Sequence, residues 1–324
     1  MKKLLAIVLS TWMLLVSSLP IDASRGQILG VHILNLYELD AVTQLLKTDQ
    51  TRDSWQFITI PLTFSDLEKK SEWQVFLDQA GKSKLIPIIR LATEVENGSW
   101  KIPTRKDITR EIDFLSDLNW PTQNRYIIVL NEPNHAKEFG STLNPQKYAE
   151  ILTFTSFWAR SEDKNYVILP AGMDLAANNS ALTMESFAFL EKMYQADPDI
   201  FSYIDIWNSH SYPNPGFSSS PVRTDKKSLR GFKHELDYLK KKTGRDFSVI
   251  ITETGWVENG STRPWLDSYY EYAFQNVWND PRVIGVTPFV FQGAPGPFAG
   301  FSFLDGNGQP TIQYLAYQKL LNTQ

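Results

Sequence analysis

The chain of 324 residues contains no cysteine, which excludes disulfide staples, thiolate metal sites and a cysteine-linked lipid anchor. Histidine is scarce as well. The four present, His32, His135, His210 and His234, show no His-x-x-x-His or Glu-x-x-His spacing suited to zinc, so no metal and no cofactor is expected. Charge of one sign is also missing, with 32 Lys and Arg set against 36 Asp and Glu. The basic triplet Lys240, Lys241 and Lys242 closes a helical pattern, where cations suit the helix dipole, and no block tracks a phosphate backbone. Nucleic acid is therefore not an expected partner. No Gly-rich phosphate turn follows the first apolar run, where Asn35-Leu36-Tyr37 comes after Leu34, and this removes the usual nucleotide-binding open sheet. Nor does a Pro/Ser/Gly-rich linker divide the chain, so residues 25–324 read as one unit and a monomer is expected.

What is abundant is aromatic surface, with 10 Trp, 13 Tyr and 19 Phe. Such rings build cores, and they also make flat apolar platforms for pyranose rings. Lys2 and Lys3 precede an apolar run from Leu4 to Leu19 that breaks at Pro20, with the small residues Ala23 and Ser24 following. That layout predicts a signal peptide over residues 1–24, a secreted or periplasmic location and no lasting membrane partner.

Beyond it come eight short runs rich in Val, Ile, Leu and Phe: Ile28 to Leu34, Phe57 to Phe64, Lys84 to Leu91, Tyr126 to Asn131, Tyr166 to Gly172, Ile204 to Ser209, Val249 to Thr254 and Ile284 to Phe291. Most are continuously apolar, as parallel strands covered on both faces are. Helical patterns lie between them. Asn144 and Pro145 open one as cap and first-turn residue, and Leu229 to Lys242 forms another, stopped by Gly244. Strand and helix alternate throughout, which predicts an α/β fold of the (β/α)8 barrel (TIM barrel) type.

In such a barrel the site is built at the C-terminal ends of the strands. Arg90 stands at the end of the third run, Asn131, Glu132 and Asn134 at the fourth, and Asp174 after the fifth. Asn208, His210 and Tyr212 close the sixth, Glu253 and Trp256 the seventh, and Gln292 the eighth. Two carboxylates leave apolar strands directly, in Ile127-Ile128-Val129-Leu130-Asn131-Glu132 and in Val249-Ile250-Ile251-Thr252-Glu253. A carboxylate there is expensive to desolvate unless it is paired. Strands four and seven face each other across a closed barrel, so the two become a facing pair. Glycoside hydrolysis needs such a pair, one acid for the leaving oxygen and one carboxylate for the sugar or for water.

Asn131-Glu132-Pro133-Asn134 together with Thr252-Glu253-Thr254-Gly255-Trp256 resembles the signature of clan A of the glycoside hydrolases, the 4/7 barrel superfamily of cellulases, mannanases, xylanases and β-glycosidases. The resemblance implies a retaining glycosidase, with Glu132 as acid/base, Glu253 as nucleophile and a β-linked glycan as substrate. It further implies that Asn131 bonds the sugar 2-hydroxyl, that the Tyr212 hydroxyl of the His210-x-Tyr212 pair donates to the nucleophile, and that Arg90 orients it. Many clan members carry Trp at the end of strand eight, where this chain reads Thr287-Pro288-Phe289-Val290-Phe291-Gln292. Phe291 or Trp256 is expected to replace that platform, with Trp100, Trp207 and Trp265 as candidates for further subsites. Two alternatives stay open: a transglycosylase that passes the sugar to another glycan, and a barrel that binds glycans without cleaving them.

Overall fold

The computed structural model describes residues 28–323. The expected signal segment, residues 1–24, lies outside them. Eight parallel strands build the barrel: β1 (Ile28–His32), β2 (Gln56–Leu62), β3 (Leu85–Leu91), β4 (Arg125–Val129), β5 (Tyr166–Pro170), β6 (Trp207–His210), β7 (Val249–Glu253) and β8 (Val283–Val286). They pair in the order β5-β4-β3-β2-β1-β8-β7-β6. The seam between β5 and β6 is closed by Asn208 Nδ2 donating to the Pro170 carbonyl at 3.0 Å and Asp205 N donating to the Ile168 carbonyl at 3.0 Å.

Each strand is followed by a helix: α1 (Leu39–Leu46), α2 (Lys70–Lys82), α3 (Arg105–Ser116), α4 (Pro145–Glu162), α5 (Ser186–Ala196), α6 (Gly231–Thr243), α7 (Leu266–Asn276) and α8 (Ile312–Leu321). The cap read at Asn144 is formed, its Oδ1 accepting from Lys147 N at 2.9 Å, and Gly244 ends α6 at φ 75°. Among the described residues no helix is long and apolar enough to cross a membrane.

Alternate strand residues divide the core in two. Ile58, Ile60, Ile89, Ile127, Val129, Ile168 and Ile251 point outward and pack under the helices. Phe57, Ile86, Ile88, Tyr126, Ile128, Leu169, Ile206 and Ile250 point inward and fill the barrel. Fully burying each such side chain contributes about 1.5–3 kcal/mol. Above the inward apolar layer sits a hydroxyl and amide layer, in which Thr59 bonds Thr287 at 2.9 Å and Thr252 Oγ1 donates to Asn208 Oδ1 at 2.6 Å. Arg90 and Glu253 stand above that layer, at the C-terminal rim.

The rim is shaped by breaks in strand regularity. Between β6 and β7 the register shifts, so that Ser209 pairs with Ile251 but His210 pairs with Glu253, and the shift aims both side chains into the mouth. At the end of β4, Leu130 (φ 68°) and Glu132 (φ 32°) adopt left-handed backbone. Such strain in side-chain-bearing residues persists where the surroundings hold it. Here Tyr148 of α4 bridges the two strand tips, donating to the Val129 carbonyl at 3.1 Å and accepting from Ala171 N at 2.6 Å.

Candidate active site

Six of the residues singled out in the sequence meet at the mouth: Arg90 from β3, Asn131 and Glu132 after β4, His210 and Tyr212 at β6, and Glu253 ending β7. Glu253 is buried and fully engaged. Its Oε1 accepts from Arg90 Nη1 at 2.8 Å, and its Oε2 accepts from the Tyr212 hydroxyl at 3.1 Å. Burial acts to raise the Glu253 pKa, but His210, His32, Arg90 and the Tyr212 hydroxyl outweigh it and hold it below the ordinary carboxylate value. Burial, aided by Arg90, pulls His32 down to about 3. That histidine is neutral near pH 7, so His210 and Arg90 supply the positive field.

Glu132 lies closer to solvent, its side chain 22% exposed, and its Oε1 is 2.9 Å from His210 Nδ1. The same nitrogen is 3.6 Å from Glu253 Oε2. Burial lowers the His210 pKa, yet the charges of Glu253 and Glu132 overcome this and leave it raised. Tyr212 is pushed well above its ordinary value by burial and by the two glutamates, so it stays a hydrogen-bond donor. The His210 ring needs Gly172 beside it. A Cβ at that position would land on the ring atoms Cδ2 and Nε2.

One ligand atom each from Glu132, His210 and Glu253 lies within 4.8 Å of the others. Three such groups at that spacing admit a cation, but Arg90 already brings fixed positive charge to Glu253 and Tyr212 occupies its other oxygen. What the cluster provides is one buried, ionised carboxylate and a second, more accessible one across from it.

A family model described as "Glycosyl hydrolase catalytic core" matches residues 92–317. The chain belongs to the glycosyl hydrolase catalytic core family. Its barrel is similar in fold to an endo-β-1,4-glucanase from Xanthomonas axonopodis pv. citri, at 14% identity and a TM-score of 0.61, covering 92% of this chain and 100% of that one. A family 39 glycoside hydrolase from Bacteroides cellulosilyticus aligns at 15% identity and a TM-score of 0.61, over 93% of this chain and 64% of that one. Thermotoga maritima Cel5A, solved with cellobiose, aligns at 14% identity and a TM-score of 0.55, over 90% and 95% respectively. No curated protein matches the chain. As a member of this glycosyl hydrolase family, the protein is a glycosidase built on a (β/α)8 barrel.

Two expected sugar platforms are corrected within this glycosidase. Trp256 is fully buried, its ring wedged at 5.3 Å from both Tyr269 and Tyr270 and its Nε1 donating to the Ser219 carbonyl at 2.8 Å. Phe291 is fully buried as well, its backbone N donating to the His32 carbonyl at 2.8 Å. Neither offers a face to a ligand. The strand read as Ile284 to Phe291 ends at Val286, and the aromatic that reaches the site is Phe289, edge-on to His32 at 5.2 Å and to Phe298 at 5.0 Å. Trp207 is core too, whereas Trp265 is exposed and Trp100 half-buried. Asn134 holds the loop after β5 through the Asp174 and Met184 carbonyls, both at 3.0 Å, and Asp174 pairs with His135 at 2.8 Å.

Three residues at the site were not singled out as site residues. His32 faces Glu253 at 3.9 Å, Phe289 lies one alternation away from Phe291, and Glu138 accepts from Asn131 Nδ2 at 3.3 Å. For His32 the available signal was its position at the end of an apolar strand. Glu138, six residues past Glu132 in a short turn, carried none.

Proposed function

We propose that the protein is a secreted retaining β-glycosidase working by double displacement. The observation that carries this reading is the compact glutamate pair, with one oxygen each of Glu132 and Glu253 within 4.8 Å in the cluster they share with His210. Retaining enzymes hold their carboxyl groups about 5–5.5 Å apart, whereas inverting ones leave about 6.5–9.5 Å for a water. Glu253, ionised by its surroundings, attacks the anomeric carbon while protonated Glu132 gives its proton to the departing oxygen. Glu132 then takes a proton from the water that releases the glycosyl-enzyme. Arg90 and Tyr212 hold Glu253 in the attacking position, and Asn131 is placed to meet the sugar 2-hydroxyl. The N-terminal Lys2-Lys3 pair with the apolar run to Leu19 supports export. β-1,4-Linked glucose is the first substrate to try, because structural neighbours include endo-β-1,4-glucanases.

The test is hydrolysis of 2,4-dinitrophenyl β-cellobioside and β-1,4-glucan oligosaccharides, with proton NMR of the first sugar released. A β-anomer appearing first, and loss of turnover in Glu253→Ala, supports the reading. An α-anomer first, or undiminished turnover in that variant, overturns it.

A further inference from the structure

Asn131 is gripped at both ends of its amide. Its Oδ1 accepts from Arg90 Nη1 at 2.9 Å, and its Nδ2 donates to Glu138 Oε2 at 3.3 Å. A primary amide is nearly symmetrical in shape, so its partners decide which end faces which way. A guanidinium only donates and a carboxylate accepts, so the two partners together select a single orientation. One Nδ2 hydrogen is engaged by Glu138, and the other has no partner among the described residues.

Glu138 is itself firmly seated. Its turn, Ala136–Glu138, is held by Ser99 Oγ of the short hairpin Val95–Trp100, which donates to the Ala136 carbonyl at 3.2 Å and to the Lys137 carbonyl at 2.9 Å. Ala136 N donates to the Leu182 carbonyl at 2.8 Å, tying the same turn to the loop after β5. Among the described residues no Lys, Arg or His forms an ion pair with Glu138, and Asn131 is its one side-chain donor. Burial leads in raising its pKa and the charges of Glu132 and Glu253 add to this, while the Asn131 amide and the Arg90 charge pull it down. A half-buried acid without a cation is unfavourable to keep, and a merely solvated turn has no use for one.

The geometry points to Glu138 as a positioning residue that locks the Asn131 amide so that an N–H, and not the carbonyl, is left for the sugar hydroxyl next to the reacting carbon. This rests on the glycosidase reading above and names a residue that the reading does not require.

Two measurements test it. In the full chain carrying 15N-asparagine, with Asn131→Asp identifying the signal, the Asn131 side-chain NH2 resonances follow the ionisation of Glu138 and lose that component in Glu138→Gln. Unchanged resonances in Glu138→Gln overturn the proposal, whatever the substrate proves to be. On 2,4-dinitrophenyl β-cellobioside, Glu138→Ala lowers kcat/KM about tenfold, as loss of one hydrogen bond to a charged group does. On the analogue lacking the 2-hydroxyl of the reacting sugar it lowers kcat/KM by less than about twofold, because the affected contact is gone. Glu138→Gln, whose carbonyl still accepts, restores most of the loss. Equal losses on both substrates overturn the proposal. Full turnover in Glu253→Ala defeats the functional reading instead, while the resonance test still decides the role of Glu138.

Discussion

Arg90 and Glu253 form an ion pair at 2.8 Å across 163 residues of sequence, and both side chains are largely shielded from water. Removing one member leaves the other buried and uncompensated, at a cost of about 3–5 kcal/mol. Arg90→Ala is expected to lower kcat/KM by about a hundredfold or more. It is also expected to lower the melting temperature near pH 7. Steady-state kinetics and calorimetry on the same preparation check both, and an unchanged melting temperature with full activity would contradict the pairing.

Tyr212 donates to the oxygen of Glu253 that Arg90 leaves alone. Without it the ionised form is less favoured, so the lowered pKa of Glu253 moves back up. A hydrogen bond to a charged group stabilises by about 1.5–3 kcal/mol, or roughly one pKa unit or more. In Tyr212→Phe the acid limb of the kcat/KM profile is therefore expected to shift to higher pH by about one unit. A limb that stays in place would remove Glu253 as the group it reports.

Gly172 has no contact with Glu132 through a side chain, yet it sets where His210 lies. Gly172→Ala is expected to push the ring away from Glu132, reducing kcat about tenfold or more for an overpacking cost of about 1–3 kcal/mol. The circular dichroism spectrum should be unchanged. Activity equal to that of the parent would mean that the ring does not matter at its present position.

Glu235 of α6 is buried beneath β6, where the Ser209 hydroxyl donates to it, and burial raises its pKa to about 7 despite that bond. Its folded pKa lies above the ordinary 4.5, so its favourable contribution is complete below that value and is lost as pH rises through about 7. Glu235→Gln is accordingly expected to gain stability over the parent at pH 8 and to show little difference at pH 5. Denaturant unfolding at the two pH values measures this, and a pH-independent difference would refute it.

The barrel was legible because its strands are continuous apolar runs, and the meeting of Glu132 and Glu253 was legible because two carboxylates leaving such runs on strands four and seven face each other across the mouth. The platforms were not. Phe289 and Phe291, two residues apart, would share one face of a continued strand, but β8 stops at Val286 and the irregular chain beyond it brings Phe289 to His32 and sends Phe291 into the core. Trp256 was misplaced because Gly255, at φ 123°, turns the chain so that the indole packs on α7. His32 escaped attention since a lone histidine has no metal spacing, and its meaning comes from Glu253, far off in sequence. Glu138 depends on a turn pinned from two other loops, and no local pattern encodes that.

Along β7 the inward-facing environment passes from hydrocarbon at Ile250 to hydroxyl at Thr252 and then to charge at Glu253, within about 10 Å of strand. Chemistry and foldability therefore occupy different storeys of the same barrel. A substitution on the top storey can retune or abolish reactivity while the greasy foundation stays packed, which gives such a scaffold latitude to acquire new sugar specificities without first learning to fold again.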